Sequence, residues 1–233
     1  MISGNIHYLP DLQDRIGVFR DRAHAGSVLA EMLEDGPGNA ASVLGIPAGG
    51  VPVAAEIAAR LGLTLDVFPV NKILFPWTTE SGFGAVACDG TEWVNEDLVR
   101  HYRLDGDTVR TAVMQAKNKV DRRFGAYYRA RPFPRLDDRS VILVDDGIAA
   151  GSTVRVAILA LRKAHAGKIV IATPTGHERS LHALASLVDA LYCANMRGGM
   201  SFAVADAYRH WSDVDEEEVA GILDKFNRPQ LPG

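Results

Sequence analysis

Cysteine is scarce: 233 residues hold two, Cys88 and Cys193, in separate segments and without metal-ligand spacing. A disulfide-stapled scaffold is therefore excluded, and a reduced, cytoplasmic setting is expected, with the one pairing the two could make left open. Cationic excess is also lacking. The formal net charge is −4, which gives no general electrostatic pull toward nucleic acid or an anionic membrane. No apolar run approaches the ~18 residues of a membrane span. Residues 1–20 show no apolar stretch between a basic start and a cleavage site, so no secretory leader is expected. Neither G-x-x-x-x-G-K-[ST] nor G-x-G-x-x-G occurs, which removes the Walker loop and the dinucleotide fingerprint. There is no internal repeat and no low-complexity segment.

What is present is ordinary globular composition, 47% hydrophobic and 23% charged, in a chain long enough to bury a substantial core. Residues 21–34 carry Val28, Leu29, Met32 and Leu33 at helical spacing, and Gly36-Pro37-Gly38 stops them. Residues 41–46 predict a short buried strand that runs into the turn Pro47-Ala48-Gly49-Gly50 and a helix over 52–61. Residues 65–70 predict a second strand, with Pro69 marking an edge or an end. Residues 71–140 break the alternation with a hairpin over 83–94, turning at Asp89-Gly90, and a long helix over 108–127. The regular pattern resumes with the apolar strand Val141-Ile142-Leu143-Val144, a helix over 153–164, strands over 169–173 and 188–193, and a C-terminal helix. That last helix carries a capping box of Ser212 and Asp215, and an apolar stripe of Val219, Ile222, Leu223 and Phe226. Strands alternating with helices predict an α/β fold, a doubly wound parallel sheet of about five strands. The expected organisation is a single domain over 1–233, with 71–140 as a hood or flap insertion within it.

In such a sheet ligands bind beyond the carboxyl ends of the strands. Residues 141–153 place three features there: an apolar strand, then Asp145 and Asp146, then a small-residue loop that opens a helix at Ser152 and Thr153. Small side chains let backbone N–H groups approach an anion, and a helix N-terminus adds favourable partial charge. Adjacent carboxylates accept from sugar hydroxyls or coordinate hydrated magnesium, which takes few carboxylates plus ligand oxygens. The same residues also suit a phosphate-free strand exit with an ordinary N-cap.

The run Val141-Ile142-Leu143-Val144-Asp145-Asp146-Gly147-Ile148-Ala149-Ala150-Gly151-Ser152-Thr153 resembles the phosphoribosyl pyrophosphate motif of type I phosphoribosyltransferases. The resemblance extends to an uncharacterised prokaryotic subgroup through Phe19-Arg20-Asp21-Arg22, Gly45-Ile46-Pro47-Ala48-Gly49-Gly50-Val51-Pro52-Val53-Ala54, Phe83-Gly84-Ala85-Val86-Ala87, Asn95-Glu96-Asp97-Leu98-Val99 and Asp215-Glu216-Glu217-Glu218-Val219. It covers residues 19–219. It implies a phosphoribosyltransferase that uses phosphoribosyl pyrophosphate, or binds a nucleoside monophosphate, with magnesium. Asp145 and Asp146 would serve the ribose hydroxyls and the metal. Gly147 and residues 149–153 (Ala149, Ala150, Gly151, Ser152, Thr153) would wrap the 5-phosphate. Pro47, Ala48, Gly49 and Gly50 would face the pyrophosphate, Lys72 would reach it, and residues 71–97 would close over the site. No nucleic-acid or membrane partner is implied, and a homodimer is left open.

Two departures stand out. Ala48 takes the place of an arginine usual in the subgroup, which removes a charge that would stabilise a leaving pyrophosphate and keeps a non-catalytic nucleotide sensor as the alternative. Ala150 replaces a threonine. Ala149 stands where 6-oxopurine salvage enzymes carry an acid that manages the base proton, so hypoxanthine and guanine are not expected acceptors; Glu80 is the one remote substitute. For Lys72 a solvated surface position is the alternative reading, and for Trp77 simple packing. Lys117, Lys119, Arg122, Arg123, Arg129 and Arg131 predict a solvated basic helix face, with a dimer or phosphate contact as the alternative. His177 and His182 read as structural or surface residues, and Phe202, Tyr208 and Trp211 as core packing in preference to a base-stacking wall.

Overall fold

The apolar run at 141–144 can be buried on both sides only if helices cover both faces of its sheet, and that is the arrangement found. The computed structural model describes residues 4–34, 36, 41–129 and 132–227. In chain order these form β1 (Ile6–His7), α1 (Arg22–Leu33), β2 (Ser42–Gly45), α2 (Gly50–Leu61), β3 (Thr64–Val67), β4 (Val70–Leu74), β5 (Gly82–Ala87), β6 (Glu92–Val94), α3 (Glu96–His101), α4 (Gly106–Tyr127), β7 (Val141–Val144), α5 (Ser152–Lys163), β8 (Ile169–His177), α6 (Glu178–Ala185), β9 (Ala190–Arg197) and α7 (Glu216–Asn227). Pro37, Gly38 and Arg131 lie outside the described residues.

Six strands build one all-parallel sheet in the order β1-β9-β8-β7-β2-β3. The sixth, beyond the five expected, is β1, whose two residues pair with Leu191 and Tyr192; a strand that short leaves no periodic signal. Successive residues of the inner strands point to opposite faces. Val43, Ile142, Val144, Val170 and Ala172 pack with Leu29 of α1, Ile57 of α2 and Val219 of α7. Leu44, Leu143, Ile169 and Ile171 pack with Ile158 and Leu161 of α5 and Leu181 of α6. The parallel α/β architecture expected from the alternation is thus present, with helices on both faces.

The strand expected over 65–70 is split. β3 ends at Val67, and β4 starts at Val70 in a second, antiparallel sheet of order β4-β5-β6. Pro69 sits in the break, where its missing N–H costs no ladder bond. This small sheet lies between two helices. Val70, Ala85 and Ala87 join the α5 side of the main core, while Ile73, Phe83 and Val86 pack on Ala116 and Val120 of α4.

The capping box at the C-terminal helix needs correction. Asp215 is the cap, its carboxylate accepting from Glu218 N at 2.8 Å, and Ser212 uses its backbone carbonyl elsewhere. The basic face of α4 is partly paired within the molecule: Lys117 meets Glu92 at 2.5 Å, and Arg122 and Arg123 meet Glu216 at 2.9 and 3.2 Å. His177 caps α6 by accepting from Arg179 N, and His182 lies 3.8 Å from Glu178. Both cysteines are free; burial pushes the Cys88 thiol up to about 12 and raises that of Cys193 as well. Among the described residues no helix is long and apolar enough to cross a membrane.

Ile142 is fully buried in β7 with a strand on either side, so Ile142→Ala should cost about 2–5 kcal/mol in urea denaturation. Met114→Ala on the exposed side of α4 should change stability by no more than about 0.5 kcal/mol. Equal effects would contradict the placement of the core.

Candidate functional site

Where β7 ends, the chain must leave the sheet without stranding its polar groups. It does so in two steps. Asp146 N donates to the Asp145 side chain at 2.9 Å, and Ile148 then adds one more parallel rung beside β8, with Ile148 N donating to Thr175 O and His177 N to Ile148 O. Ile148 is buried, so the loop is pinned at its middle. The Ser180 hydroxyl fixes the Ala149 carbonyl at 2.5 Å. Gly151 then turns the chain into α5 from the left-handed region, φ 76°, a conformation open to glycine at little cost.

The start of α5 differs from most helix starts in this chain. Side chains of Asp21, Asn95, Asp105, His177 and Asp215 cap α1, α3, α4, α6 and α7. At α5 no side chain caps, and the backbone amides of residues 149–153 meet no acceptor among the described residues. A helix N-terminus in that condition is a ready anion cradle.

These amides open on a cleft of about 820 Å³. Its floor is Asp145, Asp146 and residues 147–154; one wall is Ile46, Pro47, Ala48 and Gly49; another is Lys72 with residues 79–82 and Gly84; the last is residues 203–205 with Trp211 and Asp213. The structure therefore brings together Asp145, Asp146, Lys72, Gly147, Ala149, Ala150, Gly151, Ser152, Thr153, Pro47, Ala48, Gly49 and Glu80. Gly50 lies just behind, as the first residue of α2, its N–H donating to Ile46 O. The peptide between Pro47 and Ala48 is cis. Trp77 is not in the cleft: it is exposed and stacks on Phe75 with ring centroids 5.1 Å apart.

The two carboxylates share one half-buried corner of the cleft. Burial raises the Asp145 carboxyl well above the ordinary range, the Asp146 charge adds to this, and Lys72 opposes it. Burial also raises Asp146, against the charge and hydrogen bond of Arg22. Arg22 places Nε and Nη2 each 2.9 Å from the same oxygen, Oδ2, of Asp146. Its third nitrogen, Nη1, donates to Ser212 O at 2.8 Å, and Trp211 covers the guanidinium face at 4.0 Å. The Tyr208 hydroxyl donates to the Asp146 carbonyl at 2.6 Å. Tyr208 is buried as expected, but Trp211 is not core: it is 40% exposed and forms cleft wall. Phe202 stands apart, edge-on to His177 and under Arg197.

Sequence reasoning passed over Arg22 as a site residue, though Phe19-Arg20-Asp21-Arg22 held the signal. Asp21 caps α1 through His24 N at 2.8 Å, which fixes Arg22 in the first turn. Asp213 and residues 203–205 carried no signal, because only the fold brings them to the cleft. Among the described residues no group of three or more His, Cys, Asp or Glu could hold a metal alone. The adjacent pair suits a cation such as magnesium, which draws most of its ligands from water and a bound phosphate compound.

Gly49 backs directly onto Asp146: an added Cβ would lie 1.9 Å from Oδ2. Gly49→Ala must displace that carboxylate and should cost about 1–3 kcal/mol in urea denaturation, as overpacking does; unchanged stability would contradict the close approach.

No family model matches the chain. Two proteins from strains of Mycobacterium tuberculosis, provisionally named phosphoribosyl transferases, are 36% identical to it over 211 residues, 91% of this chain and 47% of each relative. The chain thus spans about half the length of these curated relatives. A Thermus thermophilus protein of known crystal structure is 32% identical with a TM-score of 0.71, the match covering 89% of this chain and 98% of that one. With the strand–loop–helix motif in the geometry described, these similarities identify the chain as a member of the type I phosphoribosyltransferase-like family.

Proposed function

We propose that the cleft binds phosphoribosyl pyrophosphate with magnesium and transfers the phosphoribosyl group to a nitrogenous acceptor other than hypoxanthine or guanine. The observation that carries this reading is the row of uncapped amides at residues 149–153 lying beside the Asp145–Asp146 pair in one cleft. The 5-phosphate would sit on Gly147 and residues 149–153, with the Ser152 and Thr153 hydroxyls in reach. The ribose hydroxyls would meet Asp145 and Asp146, and the pyrophosphate would lie along Pro47, Ala48, Gly49 and Gly50 toward Lys72. The charge balance supports a metal-borne ligand: among the described residues Glu80, Asp145, Asp146 and Asp213 line the cleft against Lys72 as the one lysine or arginine. Magnesium, when bound, would neutralise the pyrophosphate and steady its departure.

In the reaction the acceptor nitrogen donates its lone pair to the anomeric carbon while the carbon–oxygen bond to pyrophosphate breaks. Pyrophosphate leaves with that bond's electrons, and the acceptor gives up its nitrogen-bound proton to solvent or a base, leaving a nucleoside monophosphate or an analogous phosphoribosyl compound. Such transfers depend on alignment and charge stabilisation, so the chain's part is to hold phosphate, ribose and leaving group in register. The second reading, a sensor that binds the ligand without turnover, is favoured by Ala48, which leaves this stretch of wall without a cation. Pyrophosphate release across a panel of nucleobases and small amines separates the two: release with any acceptor supports the enzyme, and magnesium-dependent binding without release supports the sensor.

Two outcomes are expected. The double variant Asp145→Asn, Asp146→Asn should keep a native circular dichroism spectrum and lose magnesium-dependent binding of phosphoribosyl pyrophosphate in calorimetry; undiminished binding places the ligand elsewhere. Incubation with hypoxanthine or guanine should yield no mononucleotide, because Ala149 supplies no acid to manage the base proton. Robust inosine or guanosine monophosphate formation that is lost on mutation of Asp146 would overturn the acceptor assignment.

A further inference from the structure

Arg22 belongs to α1, remote in sequence from the motif, yet its guanidinium is committed to the cleft floor. Its side chain is 10% exposed and that of its partner Asp146 16%. Two nitrogens converge on Oδ2 of Asp146 and the third on the Ser212 carbonyl. Trp211 lies over one face. The segments that meet here are themselves fixed: Phe19 N donates to Ala207 O at 2.9 Å, Arg209 N to Phe19 O at 2.8 Å, and the rings of Phe19 and Tyr208 lie 5.8 Å apart.

We propose that Arg22 is a positioning residue for the ligand site: it takes one oxygen of Asp146, leaves the other to the cleft, and ties that carboxylate to the wall segment 208–212. The inference rests on the reading of the cleft given above. It follows from geometry. The Gly49 backbone packs closely against this carboxylate, but that contact is not a hydrogen bond; the directed contacts on Oδ2 come from the planar fork that approaches from α1. Lysine cannot replace that fork, since a single ammonium cannot reach Oδ2 and the Ser212 carbonyl while lying flat under Trp211. Loss of an outer partner that orients a metal-binding side chain typically lowers metal affinity about 10–100-fold.

The test is a calorimetric cycle on the full chain with R22K, D146N and the double variant, each titrated with phosphoribosyl pyrophosphate in magnesium and again in EDTA. R22K retains the charge. It should lower the magnesium-supported affinity about tenfold or more, leave the affinity in EDTA within about twofold, and add nothing once Asp146 is asparagine. Equal losses with and without magnesium, as from a collapsed site, overturn the inference, and so does an R22K effect that persists undiminished in D146N. If wild type binds the compound and R22K binds it equally well, the inference fails while the reading of the cleft stands. If wild type binds none of it, both fall.

Discussion

Two neighbouring carboxylates half-buried at the end of a central strand repel each other and pay desolvation besides, and the surrounding structure is arranged to contain them. Burial raises both Asp145 and Asp146, the Asp146 charge raises Asp145 further, and the opposing influences come from two directions, Lys72 on β4 against Asp145 and Arg22 on α1 against Asp146. Arg22 in turn requires Asp21 to start its helix and the 208–212 segment to cover its remaining nitrogen and its face. Removing one partner of such a buried pair typically costs about 3–5 kcal/mol, because an uncompensated charge stays behind. A protein has no stability reason to place an acidic pair here, since an apolar strand exit would fold at least as well. Under the proposed function the pair is there for the ligand it would hold in the cleft.

The rest of the cleft is complementary to that acidic corner. On one side lie amides with no acceptor, made approachable by alanine and glycine at residues 147 and 149–151. On the other is a wall short of positive charge. An anion would be welcome at the helix start and unwelcome at the carboxylates, unless it arrives with a divalent cation. That division suits a phosphorylated sugar with hydroxyls toward Asp145 and Asp146 and a metal-bound leaving group beyond them. The second sheet matters to this arrangement because it packs against α5 on one side and α4 on the other, which presents Lys72 to the cleft from a strand, while Glu80 stands on the β4–β5 loop.

Much of this was legible in the residues. The β7 run had to be a doubly buried strand because it contains no polar alternate, and the small residues after it had to be a loop because nothing in them fills a core. Pro69 marked an edge or a strand end, but the single strand read through it over 65–70 is divided between two sheets. What escaped the sequence did so for physical reasons. β1 has two residues and α3 six, below the length at which a period can be read. The Ser212–Asp215 pattern fits a capping box, but Asp215 is itself the better cap, and the Ser212 carbonyl is taken by Arg22, a long-range contact no local pattern encodes. Trp211 read as core because tryptophans usually are; here a guanidinium supplies the packing on one face, and the ring stays at the cleft.

The central claim is that residues 149–153 hold a phosphate while Asp145 and Asp146 hold the sugar next to it. A crystal structure of the protein with ribose 5-phosphate and magnesium tests this most directly. The account predicts the phosphate on the amides of residues 149–153 and the ribose hydroxyls facing the two aspartates. A phosphate bound at another helix start, with these amides left to solvent, would contradict it.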